Sequence, residues 1–267
     1  MHKHISSLQN AAIKKLLQLQ EKSRTRKKEG LFVIEGRREI GLAIKGGFVI
    51  RELYFNAELI SSEEVQDLTG AGKTEIIELS TEVYEKVAYR GSTEGVIAVT
   101  EAKDLSLKNV NLQKENPLIL IAEAPEKPGN IGALLRTADA AAVDAVFISN
   151  PRTDMFNPNI IRSSVGCVFT NQIATGSTSE IIAFLKERKI AIFGAALQAS
   201  VPYDSIDFTQ SSAIVVGTEA TGLSEEWLEN TTQNIVIPMQ GEIDSMNVSV
   251  AAGILVFEAK RQRRFKV

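Results

Sequence analysis

The chain has 267 residues, 44% of them hydrophobic and 24% charged, with a formal net charge of −3. That balance fits a folded body of two domains and excludes both a chain disordered throughout and a general polycation for nucleic acid. One cysteine (Cys167) and two histidines (His2, His4) leave no internal disulfide, no cysteine-based zinc site and no expected metal, so any chemistry runs on carboxylates, Arg, Lys, Ser, Thr, Asn and backbone groups.

The N-terminus lacks the apolar core of a secretory signal, and no apolar run reaches the ~18–20 residues of a membrane span; a cytoplasmic location is the expectation. Residues 9–20 read as a short amphipathic helix with Ile13, Leu16 and Leu17 inward. The charged Lys22–Gly30 stretch reads as a loop. Strands are expected at Leu31–Ile34, Ile50–Phe55, Glu75–Leu79 and Val96–Thr100, and helices at Arg37–Lys45, ending at Gly46-Gly47, and Thr81–Val87. This makes an α/β domain over residues 1–102. The polar stretch 103–116 reads as a linker.

From Pro117 a second alternation begins. Strands are expected at Leu118–Ala122, Ala145–Ile148, Ile190–Ala195, Ala213–Val216 and Asn234–Ile237. Helices fall near 131–142, 179–188, 224–229 and 248–263. Strands alternating with helices predict a parallel sheet covered on both faces, with ligands beyond the carboxyl ends of its strands.

Basic residues gather in two places. Lys14, Lys15, Lys22, Arg24, Arg26, Lys27, Lys28, Arg37 and Arg38 crowd the first segment, and Lys260, Arg261, Arg263, Arg264 and Lys266 close the chain. Such clusters bind phosphate backbones or serve as solvated faces, and composition does not separate the two. Gly70-Ala71-Gly72-Lys73-Thr74 imitates the end of a P-loop, but Asp67 stands where the motif needs its first glycine, and the stretch precedes a strand; it reads as a turn. A Rossmann glycine fingerprint is absent.

Three segments of the second domain stand out. In Asn130-Ile131-Gly132-Ala133-Leu134-Leu135-Arg136-Thr137-Ala138, the residues Ile131, Leu134, Leu135 and Ala138 share a helical face, Asn130 suits an N-cap and Arg136 lies off the apolar face with Asp139 as a simple i+3 partner. Gly217-Thr218-Glu219-Ala220-Thr221-Gly222-Leu223-Ser224 follows a strand directly; it is either a plain turn capped by Ser224 or a loop whose glycines admit a ligand. Ile237-Pro238-Met239-Gln240-Gly241 leads to Ser245-Met246-Asn247-Val248-Ser249, where a long helix starts near Asn247 with Val250, Ile254 and Phe257 as its buried stripe. Capping needs one polar residue there, and the segment supplies three.

Together and in this order, NIGALLRTA, VVGTEATGLS and IPMQGEIDSMNVSVAAGILVFEAKRQR resemble the three motifs of the SpoU/TrmH class of SPOUT methyltransferases, over residues 117–267. More loosely, FVIEGRREIGLAIKGG…IRELYF is similar to the ribosomal-protein-type α/β RNA-binding domain that precedes many members. The resemblance implies a parallel-sheet domain with a deep trefoil knot, S-adenosylmethionine as cofactor, and a homodimer whose active sites each use both subunits. By the same resemblance, Arg136, Asn130, Glu219, Ser245 and Asn247 are the catalytic positions. Gly217, Ile237 and Met246, with Leu197, Thr218 and Met239, bind the cofactor. Two positions depart from the usual pattern: Thr218 stands for Asn and Met246 for Leu.

The implied reaction is in-line transfer of a methyl group to an RNA ribose 2′-hydroxyl. DNA lacks that group. Arg136 is the family's proposed base; a guanidinium seldom deprotonates, so a grip on phosphate with Glu219 or water taking the proton is the alternative. Lys27, Lys28, Arg37 and Arg38 are the expected phosphate contacts of the first domain. By analogy the RNA is ribosomal; a tRNA methyltransferase and a non-catalytic ribosome-assembly protein on the same fold are the rival readings.

Overall fold

A computed structural model of the chain describes residues 3–69, 74–88, 94–218, 221–243 and 245–265. The P-loop-like turn at 70–73, and with it Glu219, lies outside the described residues. Packing divides the chain into two units, Met1–Lys103 with Asp154–Thr170, and Asp104–Thr153 with Asn171–Val267. Among the described residues no helix is long and apolar enough to cross a membrane.

The first unit runs β1 (Lys3–Ile5), α1 (Ala11–Glu21), α2 (Ser23–Glu29), β2 (Leu31–Glu35), α3 (Arg37–Lys45), β3 (Ile50–Phe55), α4 (Ser62–Thr69), β4 (Glu75–Leu79), α5 (Thr81–Val87) and β5 (Val96–Glu101). Its five-stranded sheet has the order β1-β4-β3-β5-β2, with β1, β4 and β3 parallel and β5 antiparallel to both neighbours. Ile13, Leu16 and Leu19 of α1 are fully buried against Tyr54, Ile77 and Ile97 of the sheet, whereas Leu17 is only half-buried.

The 22–30 stretch is not a loop. Ser23–Glu29 is helical and stops at Gly30, whose φ of +64° suits glycine. The helix has no apolar stripe for the eye to find. It is anchored by one cation: the buried Arg26 guanidinium donates to the carbonyls of Leu19 (2.8 Å) and Gln20 (3.0 Å) at the end of α1 and pairs with Asp154. A cation at the negative end of a helix is favourable, and α1 has none of its own there.

The chain continues β6 (Leu118–Glu123), α6 (Pro128–Ala140), β7 (Ala145–Ser149), α7 (Pro158–Ser163), β8 (Ile173–Gly176), α8 (Thr178–Glu187), β9 (Ala191–Ala195), β10 (Ser200–Pro202), β11 (Ser212–Val216), α9 (Glu225–Leu228), β12 (Gln233–Val236) and α10 (Val248–Gln262). All seven strands are parallel, in the order β10-β12-β9-β11-β6-β7-β8. α7 and its flanks belong to the first unit: Phe156 stacks on Phe32 (4.4 Å between centroids) and Phe169 meets Phe48 edge-on (5.1 Å). The 103–116 stretch, linker-like in composition, has its own packing: Leu107, Val110 and Leu112 rest on the core of the second unit and Ser106 bridges to Thr175.

The predicted inward face of α6 is buried as expected. α10 is different. Ala252, Leu255, Val256 and Ala259 are buried, while Val250 and Phe257 are 53% and 41% exposed. At ~100° per residue the two sets lie on opposite sides of the helix. The helix is apolar on both sides, and it packs on α6 and on β11 of the sheet. The tail is fastened by Arg263, whose guanidinium donates to the carbonyls of Phe208 (2.7 Å), Asn116 (2.6 Å), Pro117 and Gln210.

Candidate active site

In the second unit the strand order reverses beside β6, which pairs with β7 on one side and β11 on the other. Ligands of open parallel sheets sit in the crevice beyond such a reversal. The backbone turns sharply there: Ala124 and Asn150, just past β6 and β7, have φ of +40° and +47°. Strained backbone of this kind persists where its surroundings hold it, often at sites of function. Glu123 ends β6 as a buried carboxylate and accepts the backbone N–H of Ser224 (2.8 Å), which ties the loop after β6 to the loop after β11.

The loop after β11 closes on itself. Thr218 and Gly222 exchange backbone hydrogen bonds (2.9 and 3.1 Å), and the hydroxyls of Thr218 and Thr221 are 2.8 Å apart. A Cβ on Gly217 would lie 2.2 Å from the Gly222 carbonyl carbon. Glycine at 217 is therefore required by the loop's own packing, before any ligand is considered. Gly222 has open space around it but a φ of +68°.

The third segment meets the first. Asn247 is the N-cap of α10: its Oδ1 accepts from the backbone N–H (2.9 Å) and hydroxyl (2.6 Å) of Ser249, and its Nδ2 donates to Asn130 Oδ1 (3.2 Å). Asn130 is not the N-cap of α6. Lys127 holds that position and Pro128 starts the helix, the usual place for proline. This leaves the Asn130 side chain in the first turn, available to Asn247.

Among the described residues, two cavities open at this end of the sheet. One, about 350 Å³, lies beyond β9, β11 and β12, with Leu197, Thr218, Ile237, Met239, Ser245 and Met246 in its wall. The other, about 320 Å³, lies beyond β6, with Lys127, Asn130, Arg152 and Gly217 in its wall, and shares Thr218 and Thr221 with the first. Both volumes fall in the ~300–1,000 Å³ range of small-molecule sites. Of the six expected cofactor residues, Gly217 alone borders only the second cavity. Arg136 lies on the exposed side of α6 and borders neither cavity. The first cavity suits S-adenosylmethionine chemically: Leu197, Ile237, Met239 and Leu255 offer apolar surface to an adenine, and Ser245, Thr218 and the loop backbone offer polar groups to a ribose and an amino acid.

In the first unit, Lys27 and Lys28 are exposed on α2. Arg37 is engaged by Glu64 (2.9 Å) and by the carbonyls of Leu59 and Glu94, and Arg38 by the buried Glu39 (2.6 Å), whose hydrogen bond raises the guanidinium's pKa. The sequence reading passed over Glu123, Lys127 and Arg152. A single acid at the end of the apolar run LILIAE was the available signal for the first.

Residues 117–257 match the SpoU rRNA Methylase family, and residues 10–98 match the MRM3-like substrate binding domain. The chain is 30% identical to the Bacillus subtilis 23S rRNA (guanosine(2553)-2′-O)-methyltransferase RlmP, covering 97% of this chain and 99% of that protein. Its fold is similar to a crystal structure of an RNA 2′-O ribose methyltransferase (TM-score 0.82, 35% identity, 98% of this chain and 100% of that one). It is also similar to the AdoMet-bound rRNA methyltransferase from Sinorhizobium meliloti (TM-score 0.89, 27% identity, 97% of each). The motifs, the all-parallel sheet and these likenesses agree: the chain belongs to the SpoU rRNA methylase family.

Proposed function

We propose that this chain methylates a ribose 2′-hydroxyl of ribosomal RNA in the cytoplasm, holding S-adenosylmethionine in the cavity beyond β9, β11 and β12, as a homodimer with a knotted catalytic domain. The observation that carries this reading is convergence. Three segments distant in sequence place Asn130, Thr218, Ser245 and Met246 in the walls of two adjoining cavities at the switch point of one sheet, with Asn247 bonded to Asn130 across 117 positions.

When bound, S-adenosylmethionine supplies an electrophilic methyl group. The residues must then hold a weakly acidic hydroxyl in line with it, and such positioning contributes up to ~7–11 kcal/mol in model reactions. The hydrogen bond from Asn247 fixes the amide of Asn130, which lines the second cavity, and Ser245 adds a hydroxyl to the cofactor wall. Arg136, always charged in practice, stabilises the developing alkoxide and Glu219 supplies the carboxylate that takes the proton. Arg136 borders neither cavity of its own protomer, a placement that suits delivery across a subunit interface. The exposed apolar side of α10, with Val250 and Phe257, supports that interface. The Arg263 clamp, which fixes the tail against the segments leading into β6 and β11, is compatible with a threaded chain end.

Calorimetric titration with S-adenosylmethionine and S-adenosylhomocysteine tests the reading. Saturable binding that Met246→Trp abolishes while Asn247→Ala leaves the fold intact is the expected result. Binding unaffected by filling the cavity at Met246 would remove the cofactor from it. Mapping of methylated riboses then separates ribosomal RNA from tRNA.

A further inference from the structure

The second cavity has more in it than the motif residues explain. Ala122, Leu134 and Val248 give it apolar walls, and Lys127 and Arg152 bring two cations to its rim. Arg152 sits in the loop after β7, outside all three motifs. Its Nη1 lies 3.1 Å from Glu126 Oε1, and the two side chains are 63% and 64% exposed. An exposed pair of this kind contributes little stability, so fold maintenance is a poor account of why both members border a cavity.

The cavity adjoins the proposed cofactor site through Thr218 and Thr221. A group accepting a methyl from that site must reach it directly, from the space that adjoins it at Thr218 and Thr221. For a nucleotide in RNA, such a group carries a sugar and base that need apolar contact and a phosphate that needs donors. Walls and rim match those parts in order. Arg136, the arginine expected to grip phosphate, does not border the cavity in its own protomer.

We propose that this cavity receives the acceptor nucleotide and that Arg152 is the residue that binds its phosphate, exchanging Glu126 for it. The proposal rests on the placement of the cofactor next door. In the absence of RNA, Glu126 holds the guanidinium over the rim. A phosphate then offers two oxygens to the planar fork, a stronger charge-assisted arrangement than the exposed contact to a solvated carboxylate. Glu126 is thus a place-holder: it orients Arg152 and is displaced by the more strongly bound anion.

The test uses the full chain with protein-free 23S ribosomal RNA as probe, read by RNA binding across a salt series, by methyl-transfer kinetics and by S-adenosylmethionine titration. Arg152→Ala is expected to reduce the slope of log K against log salt by about one contact, ~0.7–0.9, and to raise KM for RNA about tenfold with kcat within about twofold. Cofactor affinity stays unchanged. Arg152→Lys keeps the salt slope but recovers only part of KM, because a point charge does not grip two oxygens. Glu126→Gln tightens RNA binding. An unchanged slope and KM in Arg152→Ala would overturn the proposal, as would weaker RNA binding by Glu126→Gln, or loss of cofactor affinity in Arg152→Ala, which would give the cavity to the cofactor instead. If the wild-type chain binds no S-adenosylmethionine, the cofactor placement fails, while the salt slope still decides whether Arg152 meets phosphate.

Discussion

Two basic segments, Lys22–Lys28 and the tail from Lys260, are alike in composition and differ in use. Each contains one arginine turned inward. Arg26 meets a carboxylate and the carbonyl end of α1; Arg263 meets four neutral carbonyls. Around Arg26 the neighbours Arg24, Lys27 and Lys28 remain exposed on a helix. Around Arg263 the neighbour Arg261 is bound to Glu258, which raises its pKa and lowers that of the carboxyl. A basic cluster in a sequence therefore says that cations are near, and the hydrogen-bond partners decide whether they face RNA or the protein.

The largest effect should come from Arg26. Its side chain and that of Asp154 are 5% and 9% exposed, and removing one member of a buried pair strands the other. Arg26→Ala is expected to cost ~3–5 kcal/mol in chemical denaturation, and Arg26→Met combined with Asp154→Leu to recover most of it. A loss under ~1 kcal/mol would put Arg26 back among the surface cations and erase the contrast with Lys27 and Lys28.

Arg263 should matter less. Burial lowers its pKa, but it remains charged at any working pH. Its partners are carbonyls that keep a second lone pair and have some access to water, so Arg263→Ala is expected to cost ~2 kcal/mol and to speed hydrogen exchange at the end of α10. RNA binding should be unchanged. Weaker RNA binding with unchanged stability would reverse the assignment and make the tail a nucleic-acid contact.

What the sequence could disclose follows the same division. β3, β4, α3 and α5 were legible to the residue because their apolar periods are clean. α2 was not, because its anchor is a cation and it has no stripe. α7 was passed over because it is short and packs on β2 of the first unit, as Phe156 just before it does on Phe32, far away in sequence from the strands that flank it in the chain. In α10 the stripe at Val250, Ile254 and Phe257 is real, but a helix apolar on both sides does not announce which side meets its own sheet. At the site, the Pro128 start of α6 was readable from proline's preference for N1, and it displaces Asn130 from the cap. The walls of the two cavities come from loops distant in sequence, so family resemblance pointed to Leu197 and Met239 where periodicity had nothing to say. Arg152 lies outside motif and period alike, and geometry alone brings it forward.

The smallest effect on the fold, and the most specific, belongs to Lys27 and Lys28. Both are exposed at the end of α2, and Lys28 lies 4.0 Å from Glu29, at the limit of an ion pair. Replacing both with alanine is expected to change stability by less than ~0.5 kcal/mol, as surface substitutions do, and to lower the salt slope of RNA binding by about two contacts, ~1.4–1.8. Arg37→Ala is the control, because that guanidinium is occupied by Glu64 and two carbonyls: it should reduce stability and leave the slope alone. If the lysine pair leaves the slope untouched and Arg37→Ala lowers it, RNA displaces the Arg37 contacts, and the binding face of the first unit lies at the start of α3 instead of the end of α2.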